Sequence, residues 1–130
     1  MERDVILLEQ MNVYAQAIAI ADEVWNVVIE WSYFEKKTIG DQLVRAIDSI
    51  GANIAEGYGR FHYGDKIKFY YYSRGSVFET QFWIKRSIQR KILDQGTGIQ
   101  TLLALKEINK QLNFLIKNAK TQQANSTKKS

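Results

Sequence analysis

Apolar residues recur at three- and four-residue spacing along most of this chain, the pattern of amphipathic helices. Four such segments are legible. The first covers residues 9–31, where Leu7, Met11, Tyr14, Ile18, Ala21, Trp25 and Val28 make one face. Val13, Ala17, Ile20, Val24, Val27 and Trp31 widen it, and the charges Glu9, Asp22, Glu23 and Glu30 take the rest. A stripe this wide packs against two neighbours, one of which can belong to another subunit.

The second segment, residues 38–58, carries a core stripe of Leu43, Ile47, Ile50 and Ile54. Thr38 is its expected N-cap, with Asp41 in place of the usual glutamate of a capping box. A second row, Gln42, Arg45, Ser49, Ala52, Glu56 and Arg60, shares one face by its spacing. Gly51 and Ala55 form a small pair that admits a close neighbour, and Gly57 and Gly59 are expected to end the helix. The third segment, residues 65–93, is long for a globular domain. Ten of the sixteen aromatics lie between Tyr58 and Trp83, and residues 69–72 are aromatic on every side of the helix. Gly75-Ser76 in mid-helix costs roughly 1 kcal/mol relative to alanine, which suggests a close crossing against the Gly51–Ala55 face.

Asp94-Gln-Gly-Thr-Gly98 reads as a loop. The fourth segment, residues 99–121, has a seam of Leu105, Ile108, Leu112, Leu115 and Ala119, with Lys106, Lys110, Lys117 and Lys120 opposite. Residues 1–122 thus read as one all-α domain, and residues 123–130 as a polar tail expected to be disordered. Four helices with short connections favour an antiparallel up-down bundle.

Composition narrows the function. The chain has 130 residues, no cysteine, no proline and one histidine, His62. Disulfides, thiolate metal sites and multi-histidine sites are therefore excluded. No apolar run is long enough to span a membrane, and the start, Met-Glu-Arg-Asp, is too acidic for a secretion signal. A soluble cytoplasmic protein without cofactor or metal is expected. The net charge of +4 hides a segregation: residues 1–35 carry −6 and the remainder +10. Such a split suits an anionic partner. It equally suits an acidic helix lying on basic neighbours.

Glu56 and Glu79 invite a reading as a carboxylate pair, but the Glu-x-x-His pairs of a di-iron bundle are absent. The simpler expectation is that they pair with Arg45, Arg60 or Arg74, since charges taken out of water are normally paired. Gly57-Tyr-Gly59 before Arg60 lacks the strand and the Lys-Ser/Thr of a phosphate loop. Lys66, Lys68, Tyr70, Tyr71, Tyr72 and Arg74 interleave bases and aromatics as single-strand binding surfaces do. Core and subunit-interface packing is the competing account. Lys85, Arg86, Arg90 and Lys91 form a denser basic cluster, which also suits the end of a helix dipole. Together with Arg60, Lys66 and Lys68, they are the candidate nucleic-acid contacts.

Residues 42–60, then Phe69, then Arg74-Gly-Ser-Val-Phe-Glu79, resemble the 23S rRNA-intervening-sequence proteins over about residues 9–121. Arg45, Asn53, Glu56, Gly57, Gly59, Arg60, Arg74, Gly75, Ser76 and Glu79 match that family's pattern, in structural or interface roles. The chain departs from it at Gly51, often proline there, and at Thr80 and Gln81 within an expected leucine-rich stretch. The resemblance implies a four-helix protomer in a ring-like homopentamer and no enzymatic activity. It implies a scaffold associated with rRNA, another nucleic acid or a ribonucleoprotein. Related proteins are accessory factors of diversity-generating retroelements, so a protein adaptor that contacts a reverse transcriptase is the alternative.

Overall fold

In a computed structural model of the chain, the described residues are Leu8 and 11–129, without the side chains of 128 and 129. Leu7 and Glu9 lie outside them. Among the described residues there are four helices and no strand. Helix α1 is Asn12–Val28. Helix α2 is continuous through three stretches, Tyr33–Glu35, Lys36–Gly40 and Asp41–Tyr58. Helix α3 is Tyr63–Gln89 and α4 is Gln95–Lys129.

Helix α2 starts ahead of Thr38 because a complete capping box lies upstream. The Ser32 hydroxyl accepts the Glu35 N–H at 3.2 Å, and the Glu35 carboxylate accepts the Ser32 N–H at 3.0 Å. This reciprocal pair satisfies two N–H donors that a helix start otherwise leaves open. Thr38 is inside the helix, its hydroxyl donating to the Phe34 carbonyl at 2.7 Å. The Lys36–Gly40 stretch is a π-helical turn. It ends on Gly40, where a Cβ would approach Val28 Cγ1 to 2.9 Å, so α1 closes on α2 there.

The helices pack in a closed cycle, α1 on α2, α2 on α3, α3 on α4 and α4 on α1. Neighbours are antiparallel. Gly51 lies beside Ala17 and Gly40 beside Val28. Ser73 meets Ile50, and Lys66 meets Gly57. Arg74 meets Asn113, and Tyr71 meets Lys120. The core holds Val13, Ala17, Ile20, Val24 and Val28 of α1, and Leu43, Ile47, Ile50 and Ile54 of α2. Val77 and Ile84 of α3 join Leu105, Ile108, Leu112 and Ile116 of α4.

Helix α3 alternates large and small buried residues at near-heptad spacing: Tyr70, Ser73, Val77, Thr80, Ile84, Ser87. The serine and threonine hydroxyls are all partnered. Ser73 donates across to the Ile50 carbonyl, and Thr80 and Ser87 donate to carbonyls one turn back, each at 2.7 Å. Small side chains let α3 lie close to α2, and the internal bonds keep burial from stranding the hydroxyls.

The crossing expected at Gly75 is elsewhere. A Cβ on Gly75 would meet nothing within 4 Å, and Gly51 faces Ile18, Tyr14 and Ala17 of α1. The glycine that α3 requires is Gly57, whose Cβ would come 2.6 Å from the Tyr70 ring. Thr80 is a fully buried member of the α3 seam.

Helix α3 ends in a Schellman motif, with Lys91 N–H bonded to Ile88 O and Ile92 N–H to Ser87 O, both at 3.0 Å. Lys91 occupies the left-handed position (φ 63°) usually given to glycine. The Asp94–Gly98 stretch expected as a loop is instead the start of α4. The Asp94 carboxylate accepts the Thr97 N–H at 3.0 Å and caps the helix. At the other end, α4 continues through Lys129, where the sequence suggested a disordered tail; residues 120–127 are all exposed. No helix among the described residues is long and apolar enough to cross a membrane.

Candidate nucleic-acid interface

Helices α3 and α4 meet at one edge through Tyr71 and Arg74. Lys120 Nζ donates to the Tyr71 hydroxyl at 2.7 Å, and Arg74 Nη1 donates to Asn113 Oδ1 at 2.9 Å. The Arg74 and Lys120 cations also lie over the Tyr71 ring, 4.8 and 5.2 Å from its centre. The hydrogen bond from Lys120 holds the Tyr71 phenol below its usual pKa, assisted by the charges of Lys120 and Arg74 against a smaller effect of burial.

Helical spacing extends this edge. Phe78 and Lys85 follow Tyr71 at successive sevens, and Phe82 stands one turn beyond Phe78, so all lie on the α3 side that faces α4. On α4, Lys106 precedes Asn113 by seven, and Lys110 and Lys117 flank the same line on its solvent side. Arg74, Lys117 and Lys120 line one depression between the helices, and Lys106, Lys110 and Asn113 line another on α4. Glu107 borders the second, but its carboxylate accepts from Gln111, which also binds Gln16 of α1. The edge therefore carries Arg74, Lys85, Lys106, Lys110, Lys117 and Lys120. By the same spacing Phe78 and Phe82, each 53% exposed, stand on the α3 side of this edge, and the Phe82 ring meets Trp83 edge to face at 4.8 Å. The acids Asp22 and Glu23 belong to α1, across the bundle from α3, and Glu30 lies in the turn that follows α1. The Asp48 carboxyl of α2 is held above its usual pKa, first by burial and then by the charge of Asp22.

The seven basic residues singled out from the sequence do not form one cluster. Lys66 turns inward and donates to the Gly57 and Tyr58 carbonyls at 3.2 and 3.0 Å, closing the end of α2, and burial lowers its pKa. Arg60 pairs with Glu56 at 3.1 Å and covers the Phe69 ring at 4.7 Å. Lys68 stands near the Tyr72 ring, exposed. Lys85, Arg90 and Lys91 are exposed at the far end of α3, and Arg86 is half-buried and bonded to Gln89. About 17 residues of α3, roughly 26 Å, separate Lys68 of the first group from Lys85 of the second. The aromatic run also divides: Tyr70 is core, Phe69 holds Arg60, Tyr71 meets α4, and Tyr72 faces outward.

The fold and the row of residues on α2 and α3 coincide with one family. Its model, that of the 23S rRNA-intervening sequence proteins, matches residues 9–114. The chain belongs to this family. A crystal structure of a protein of unknown function from the S23 ribosomal protein family of Bacteroides thetaiotaomicron has the same fold. Its TM-score is 0.73 at 24% identity, covering 81% of this chain and 98% of that one. No curated protein matches.

The positions that carry the 23S rRNA-intervening sequence pattern lie along the surface and the packing of α2 and α3. Arg45 pairs with Asp41 at 2.8 Å, not with Glu56 or Glu79. Glu56 pairs with Arg60 as expected, while Glu79 accepts from the Trp83 indole at 3.5 Å. Asn53 and Ser76 donate to the Ser49 and Tyr72 carbonyls. Gly59 follows the last residue of α2. Among the described residues no group of three His, Cys, Asp or Glu is placed to hold a metal ion.

Proposed function

We propose that this 23S rRNA-intervening sequence protein is a non-enzymatic scaffold that binds nucleic acid and works as an assembly of its own copies. The basic α3/α4 edge carries this reading. Six cations on two adjacent helices, remote from the α1 acids, match the charge density of a phosphate backbone, and releasing its counterions drives binding. The partner is rRNA, another nucleic acid or a ribonucleoprotein. Self-association is supported by the α1 face: Trp25 is 53% exposed, with Ile18 and Ile29 uncovered beside it. The family resemblance favours a ring-like homopentamer. The reading without catalysis rests on Glu56 and Glu79, which are exposed on the helix surface and engaged by Arg60 and Trp83.

Light scattering combined with the 260/280 nm absorbance ratio on freshly purified protein tests this. The expected result is a multiple of the chain mass carrying nucleic acid that high salt removes. A monomer that binds neither RNA nor DNA at low ionic strength would overturn it. A second reading, a protein adaptor such as a reverse-transcriptase accessory factor, is favoured by the exposed Tyr33 and Phe34 at the start of α2. A clean oligomer without nucleic acid supports that reading instead.

A further inference from the structure

The geometry points to single-stranded nucleic acid, rather than duplex, as the ligand of the α3/α4 edge, with bases stacked on Phe78 and Phe82 and phosphates on the flanking lysines. This rests on the nucleic-acid reading above and goes on to name the ligand class.

Three features carry it. First, the edge is not merely basic. Helical spacing puts Phe78 and Phe82, both half-exposed, on the α3 side of it, and the Phe82 ring also meets Trp83 edge to face at 4.8 Å. The third aromatic, Tyr71, already has Arg74 and Lys120 against its ring. Aromatic side chains that offer a face to solvent among cations are what base stacking uses, and stacking tolerates any sequence because every base has a π-face. Duplex binding needs no such rings, and the bases of a duplex are already stacked on one another.

Second, the spacing suits an unstacked strand better than stacked bases. Phe78 and Phe82 are four residues apart, about 6 Å along the helix axis. Successive nucleotides of a duplex strand advance by only about 3.4 Å. Neighbouring bases that use both rings fit an extended, unstacked strand better than a duplex.

Third, the cations form a strip along the same edge. Lys106 and Lys110 are also one turn apart, and Lys117, Lys120 and Arg74 continue toward the α2–α3 connection. A single flexible backbone follows such a strip along two antiparallel helices. The strip reads no base edge and no sugar hydroxyl, so the strand's sugar is not discriminated.

Fluorescence anisotropy with labelled U20, dT20 and a 20-base-pair DNA duplex tests this on the full chain. U20 and dT20 are expected to bind with similar affinity and more tightly than the duplex. F78L/F82L keeps the apolar bulk but removes the π-faces. It is expected to weaken single-strand binding at least about thirtyfold while changing duplex binding little, since each stack is worth about 1–3 kcal/mol. F78W/F82W should retain single-strand affinity, which guards against a folding defect in the leucine variant. Duplex binding as tight as single-strand binding, or an F78L/F82L variant that binds U20 like the parent, overturns the single-strand assignment and leaves the nucleic-acid reading intact. Absence of binding to all three probes at low salt removes both.

Discussion

Two glycines show how differently the same residue is used. Gly57 sits where Tyr70 crosses α2, and a methyl group there would come 2.6 Å from the ring and 3.3 Å from the Lys66 carbonyl. Gly75 faces open space. Overpacking costs typically about 1–3 kcal/mol, whereas glycine in a helix interior is worse than alanine by about 1 kcal/mol. Gly57→Ala is therefore expected to lower stability by up to about 2 kcal/mol in urea unfolding. Gly75→Ala is expected to raise it by up to about 1 kcal/mol. Lys91 is a third case. It holds a left-handed position at the end of α3 without being glycine, which costs roughly 1 kcal/mol, and its ammonium stays exposed beside Arg90.

At the scale of the helices, the capping box of α2 is the sharpest local device. Ser32→Ala removes the acceptor for the Glu35 N–H and is expected to cost about 1 kcal/mol by thermal or chemical unfolding. Thr38→Ala, at the position that first suggests an N-cap, should change stability by less than about 0.5 kcal/mol, since the Thr38 hydroxyl bonds back to the Phe34 and Glu35 carbonyls and caps no N–H. The four helices and their core stripes are legible in the sequence because apolar spacing is a property of each helix alone. Their ends are less so. The apolar stripe of α2 fades before Ser32, and Gly96 and Gly98 disguise the first turn of α4, which Asp94 caps and which Gly98 packs against Ile88 and Leu93. The Gly75 crossing fails for a related reason: a costly glycine marks a position but not the helix it faces.

For the whole molecule, charge and aromatic content were readable, but their grouping was not. Helix α3 is aromatic on all sides, so only packing decides that Tyr70 goes inward, that Phe69 takes Arg60, and that Tyr71 and Arg74 turn to α4. Lys66 looks like a surface cation and is a helix cap. The α4 lysines look like an ordinary solvated face until α3 lies beside them. The sevenfold spacings of Tyr71, Phe78 and Lys85, and of Lys106, Asn113 and Lys120, were the available signal. They become meaningful only once the antiparallel register is known. The central claim is that this α3/α4 edge holds a phosphate backbone. The most direct test is the salt dependence of oligonucleotide affinity for the parent chain and for K106Q/K110Q/K117Q. Binding should fall steeply with salt, and the variant's log–log slope should be shallower by about two, as expected for three lost contacts to a single strand. An unchanged slope, or no binding by the parent at low salt, would contradict the account.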